Sequence, residues 1–167
     1  SIEDLIEKGI DFIFYPAVFY EEKQFKNADN TLNCPVVAGY SEVIKNNVDD
    51  IIDGKVKFMN PFISFDNRKK LEKRLAEVFD FIPKNEVKKA VRAGYEEQDR
   101  YRLDVLNEGN RILEEVNKKN QRAIVLSGRP YHIDPEINHG IPELITSLGL
   151  AVISEDGIAN NVEIDSR

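Results

Sequence analysis

The sequence holds one cysteine, which rules out an intrachain disulfide framework and suits a reducing cytosol. It has no apolar run long enough to span a bilayer and no signal-peptide pattern, so the expectation is a cytoplasmic chain with no membrane partner. Basic residues are outnumbered, with 23 Lys and Arg against 30 Asp and Glu and a net charge of −7. No basic stripe stands out, which argues against a general nucleic-acid binder, although a local phosphate pocket stays open. There is no P-loop, no GxGxxG and no HExxH, so a phosphate-binding ATPase motif, a dinucleotide cofactor and a helical zinc pair lack support. Internal repeats and low-complexity tracts are absent too.

What remains is the composition of an ordinary globular chain of 167 residues, 41% hydrophobic, able to bury a real core as one domain or two small lobes. Its densest chemistry lies between Ala123 and Glu155. Ala123–Leu126 and Leu150–Ile153 read as buried strands. Between them Ile141, Leu144, Ile145 and Leu148 recur at helical spacing, with Pro142 suited to the first turn and Gly149 to a left-handed stop. This is a βαβ unit of a parallel sheet, and such sheets bind ligands at the carboxyl ends of their strands. The Ser127–Gly140 loop sits there, carrying Gly128, Arg129, Tyr131, His132, Asp134 and His139.

Upstream, Ile2–Lys8 reads as a helix end stopped by Gly9, and Ile10–Tyr15 as a strand ended by Pro16. Ala17–Asn33 reads as a long loop. Cys34-Pro35 opens a helix whose apolar positions are Val36, Val37, Tyr40, Val43, Ile44 and Val48. Strand structure is expected within Val56–Phe65. A helix follows at Arg68–Phe79, with Ser64 or Asp66 as caps, and then a long charged helix at Glu86–Asn117, in which Gly94 and Gly109 are weak points. The fold class is therefore α/β, with parallel-sheet, Rossmann- or flavodoxin-like lobes. The expected divisions are the end of a first lobe at 1–82, a connecting helical segment at 83–120 and the start of a second lobe at 121–167.

The candidate residues each have a plainer reading. Cys34 at a helix N-terminus is placed where backbone amides favour the thiolate, the metal-binding form, but a lone cysteine is more often a buried structural one. Gly128 lets backbone amides approach a ligand and Arg129 can clamp a phosphate or carboxylate, or it can tie its loop to a nearby acid. His132 and His139, with Asp134 between them, more often brace a loop than bind metal. Tyr131 and Tyr40 either line a cleft or pack with their hydroxyls at the surface. Glu155-Asp156 could hold a ribose; a solvated loop is the commoner case.

Two segments, GRPYHIDPEINHGIPELITSLG from Gly128 and NCPVVAGYSEVI around Cys34, resemble the dehydratase-related region of acyl-CoA dehydratase activase-related proteins. These are associated with the activators of 2-hydroxyacyl-CoA dehydratases. The resemblance runs from GIDFIFYP at Gly9 to SED at Ser154. It implies an iron–sulfur protein in ATP-dependent electron transfer to acyl-CoA dehydration. The implied partners are ATPase activator modules of the same or a partner chain, and acyl-CoA. In the related dehydratases cysteines at strand ends hold a [4Fe–4S] cluster, and many family members carry Cys after the Tyr-Pro that is Tyr15-Pro16 here. This chain has Ala17 there, so Cys34 would be one ligand of a site completed by other sequence. The chain starts with Ser inside a helical pattern, which is read as a fragment of a longer protein. A cluster is expected only in the full-length protein and not in the fragment. Two alternatives stay open: a non-catalytic module for an anionic, CoA-like ligand, and a docking segment for the ATPase modules.

Overall fold

The structure is a computed structural model that describes residues 1–23, 30–128 and 133–159. The chain divides into two compact units, Ser1–Ala93 and a second from Gly94 onward.

The first unit is built on parallel pairing. Strand β1 (Phe12–Phe14) pairs with β3 (Lys57–Met59), and β2 (Ala17–Tyr20) with β4 (Phe62–Ser64). The two ladders share one register as far as Val18, since Phe14 faces Met59 and Ala17 faces Phe62; it then shifts by one residue, so that Tyr20 faces Ser64. They form one ribbon interrupted at Pro16 and Pro61. The Tyr15 amide still donates to the Met59 carbonyl at 2.9 Å and the Ala17 amide to the Pro61 carbonyl at 3.0 Å. In a parallel ladder alternate residues face the partner, so the Pro16 nitrogen points away and its missing N–H costs nothing. Pro61 faces the partner, and its missing N–H removes a rung. The expectation of a loop from Ala17 to Asn33 is corrected here, because Ala17–Tyr20 is strand.

Helices fill the crossover and the flanks. Helix α1 (Ile2–Glu7) precedes β1, capped by the Ser1 hydroxyl. Helices α2 (Pro35–Asn47) and α3 (Asp49–Ile52) connect β2 to β3. Gly54 closes α3 at φ 71°, with the Lys55 amide on the Asp50 carbonyl and the Gly54 amide on that of Ile51. These are the paired bonds of a left-handed helix stop. Ile13, Ile51 and Val56 are the buried centre, surrounded by Ile2, Ile6, Ile10, Tyr15, Ile44, Val48 and Phe58. Helix α4 (Arg68–Val78) is capped by Asn67, whose side chain accepts from the Lys70 amide at 3.0 Å. The expected caps were Ser64 and Asp66, whose side chains bond each other instead. Past α4, Phe79 meets Phe14 at 5.0 Å and Phe81 meets Phe12 at 6.3 Å between ring centroids.

Helix α5 runs unbroken from Lys84 to Lys118. Its end is a left-handed stop at Asn120, φ 50°, with Gln121 donating to the Val116 carbonyl. In the second unit β5 (Ala123–Leu126) and β6 (Ala151–Ser154) pair in parallel, with Ala123 facing Ala151. Helix α6 (Ile141–Ser147) connects them, with proline in its first turn, and Gly149 follows it at φ 77°. The βαβ reading of this region holds, as does the α/β fold class. Among the described residues no helix is long and apolar enough to cross a membrane.

Gly109 is not a weak point of α5 but a contact. A Cβ there would collide with the Gly157 carbonyl oxygen and lie 2.6 Å from its carbon, in the short 3-10 turn Glu155–Gly157 after β6. Nothing lies within 4 Å of the same atom built on Gly94. Gly109→Ala should therefore lower stability by about 1–3 kcal/mol through overpacking. Gly94→Ala should raise it by roughly 0.5–1 kcal/mol by favouring the helix. Urea unfolding of both variants checks the contrast.

On the exposed face of α5, Arg111 reaches Glu108 at 2.6 and 2.8 Å and also Glu115. The hydrogen bond from Arg111 holds the Glu108 carboxyl below its ordinary range. A lowered folded-state value means the contribution is full at neutral pH and is lost as pH falls through that value. The melting-temperature gap between wild type and Glu108→Gln should accordingly be small near neutrality, as exposed pairs contribute little, and should close in acid.

Candidate functional site

The carboxyl end of β2 organises the site in the first unit. After Tyr20 the chain leaves the sheet and returns antiparallel to β2. Tyr20 bridges Leu32, the Glu21 amide donates to the Thr31 carbonyl at 2.8 Å, and the Asn33 amide donates to the Phe19 carbonyl at 2.8 Å. This return delivers Cys34 to the N-cap of α2. The Asn33 side chain holds the corner, accepting from the Cys34 amide at 3.0 Å and donating to Glu21 at 3.0 Å. The Cys34 carbonyl accepts from the Ala38 amide, starting the helix, and Pro35 supplies the fixed φ of its first turn.

α2 packs on β2 through small residues. Ala17, Ala38 and Ser41 are buried, and the Ser41 hydroxyl has no hydrogen-bond partner among the described residues. Val36, Val37, Tyr40 and Val43, the larger side chains of the helical pattern, are exposed instead. Only Ile44 and Val48 of that pattern reach the core. Close approach of helix to strand selects the small face, and spacing alone does not say which apolar face turns inward.

The residues present do not make a complete cluster site. Cys34 is the chain's one thiol, and iron–sulfur clusters are held by several cysteine thiolates. Ala17 offers only a buried methyl. No group of three His, Cys, Asp or Glu side chains arranged to hold a metal occurs among the described residues.

The second unit holds the Ser127–Gly140 loop. Arg129, Tyr131 and His132 lie outside the described residues. The Ser127 hydroxyl donates to the Glu155 carboxylate, tying together the carboxyl ends of β5 and β6 just before Gly128. Asp134 organises its own turn. Its carboxylate accepts from the Glu136 amide at 2.9 Å, and its carbonyl accepts from the Ile137 and Asn138 amides. His139 sits at φ 56°, between buried Asn138 and the α6 N-cap Gly140. The Asn138 side chain accepts from the Gly140 amide at 2.9 Å. Asp134 and His139 thus belong to one turn, and Cys34 to the other unit.

Sequence reasoning passed over a pocket of about 360 Å³ in the first unit. It lies where β2 and β4 end, lined by Phe19, Tyr20, Phe62, Ile63, Leu71, Ser64, Lys70 and Arg74. The Phe19 and Phe62 rings are 5.2 Å apart. The available signal was Arg68-Lys69-Lys70, three cations in the first turn of a helix, where the dipole disfavours them.

A family model described as CoA enzyme activase uncharacterised domain (DUF2229) matches residues 1–158. The chain belongs to this family. The expected resemblance to activase-related proteins is thereby met over nearly the whole chain. No curated protein and no solved structure matches.

The turn before α6 yields a prediction within the second unit. Asn138→Ala would leave the Gly140 amide without its acceptor. It should cost about 1–2 kcal/mol and speed amide exchange at Gly140, both measurable by hydrogen-exchange NMR.

Proposed function

We propose that this chain is the dehydratase-like part of an ATP-dependent electron-transfer system acting on acyl-CoA thioesters, working with ATPase activator modules of the same or a partner chain. The observation that carries this reading is the placement of Cys34 in a chain of the activase-related family. A dedicated return segment, pinned by Asn33 to β2, presents Cys34 at a helix N-terminus beside the carboxyl end of a parallel strand. That is the region where α/β sheets keep their ligands, and a helix N-terminus favours an anionic group such as a thiolate.

The role assigned to Cys34 is that of one thiolate donor. A [4Fe–4S] cluster would take its other thiolates from sequence outside these 167 residues, so no redox step is assigned to these residues alone. In the second unit, Gly128 and Arg129 are assigned to an anionic part of the ligand, with Tyr131, His132, Asp134 and His139 shaping that loop.

Anaerobic reconstitution of the full-length protein with iron and sulfide tests the reading. Cys34→Ser should lower bound iron and acid-labile sulfide and alter the visible charge-transfer spectrum. The isolated 167-residue chain, as a monomer, should bind no stoichiometric cluster. Equal iron, sulfide and spectra in wild type and Cys34→Ser would remove Cys34 from the site.

A further inference from the structure

The pocket at the ends of β2 and β4 has a composition unlike the rest of the chain. Overall the sequence is acidic, yet among the described residues that line this space two are cations and none is a carboxylate. Its walls are aromatic and aliphatic. Phe19, Tyr20 and Phe62 are 39%, 46% and 56% exposed, and exposed apolar surface rimmed by polar groups is a feature of ligand-binding grooves. The volume is at the small end of those that hold organic ligands.

The cations are placed with some care. Arg74 donates from Nε to the Phe62 carbonyl at 3.2 Å, which ties its guanidinium to the backbone of β4. Its Nη1 lies 3.5 Å from Glu77, an exposed and therefore weak pairing. Lys70 makes no ion pair among the described residues. It stands in the first turn of α4 with Arg68 and Lys69. Arg68 is paired with Glu22 at 2.9 Å. Three cations at the positive end of a helix oppose its dipole, and a bound anion would relieve both.

We propose that this pocket binds a small amphipathic anion, with a flat apolar group against the Phe19 and Phe62 rings and a phosphate, carboxylate or sulfonate at Lys70 and Arg74. The apolar part supplies contact area and the anion sets orientation, the usual division in small-molecule sites. The site does not depend on Cys34 being a metal ligand. The two are neighbours through β2, because Asn33 bonds the backbone of Phe19.

Amide NMR titration with anilinonaphthalene sulfonate, phenyl phosphate, inorganic phosphate and neutral anilinonaphthalene tests the proposal. The sulfonate and phenyl phosphate should bind saturably and shift the amides of Phe62–Ser64 and Lys70–Arg74. Inorganic phosphate and the neutral amine should each bind more weakly, and added salt should weaken the anions. Lys70→Ala should weaken phenyl phosphate about tenfold, the worth of one charge-assisted contact. Phe19→Ala should weaken the sulfonate, and Val36→Ser on the exposed face of α2 should change neither. Cys34→Ser should also leave binding unchanged, which separates this proposal from the cluster reading. Unchanged binding in Lys70→Ala, phosphate binding as tightly as phenyl phosphate, or shifts centred on Val36, Tyr40 and Val43 would overturn it.

Discussion

Parallel pairing of residues 12–20 with residues 57–64 is the constraint on which the first unit depends. Parallel strands cannot be joined by a tight turn; the chain must cross over. That requirement places α2 and α3 between the strands and puts a long connection at the carboxyl end of β2. Cys34 and the aromatic pocket both follow from it. The core of Ile13, Ile51 and Val56 closes the same crossover from the other end.

The facing prolines show how little a rule about one residue says without the partner strand. Pro16 looks like a strand terminator because it lacks an N–H. In this ribbon its nitrogen faces away, and the Tyr15 and Ala17 amides keep their bonds to β3 and Pro61. The break in the ladder belongs to Pro61, which does face the partner. Reading Ala17–Asn33 as one loop merged a strand with the return segment that delivers Cys34.

Glycine in α5 gives a similar case from the second unit. By propensity Gly94 and Gly109 are equal weak points in a helix. By position they differ. Gly109 lets the backbone of the Glu155–Gly157 turn approach where no side chain fits, while Gly94 has open space. Helix propensity describes a cost to the helix; only the approaching backbone shows what one of these glycines offsets.

By itself the sequence determined the elements whose signals are local. Ala123–Leu126 was bounded by turn residues and matched its strand end for end, although Ile124 and Val125 are exposed where a buried strand was expected. Pro35 fixed the start of α2, and left-handed stops were legible at Gly9 and Gly149 because they answer to backbone sterics alone. The family was legible in GRPYHIDPEINHGIPELITSLG and the Cys34 motif, and the match over residues 1–158 carries it. Tertiary structure decided what depends on a partner distant in sequence: the strand at Ala17–Tyr20, the small face of α2 that turns inward, the Gly109 contact, and the meeting of Phe19 and Phe62 with Lys70 and Arg74. Periodicity records that a helix has an apolar face and charge records that a turn is basic. Which neighbour each one meets is set by long-range pairing, which no window along the chain contains.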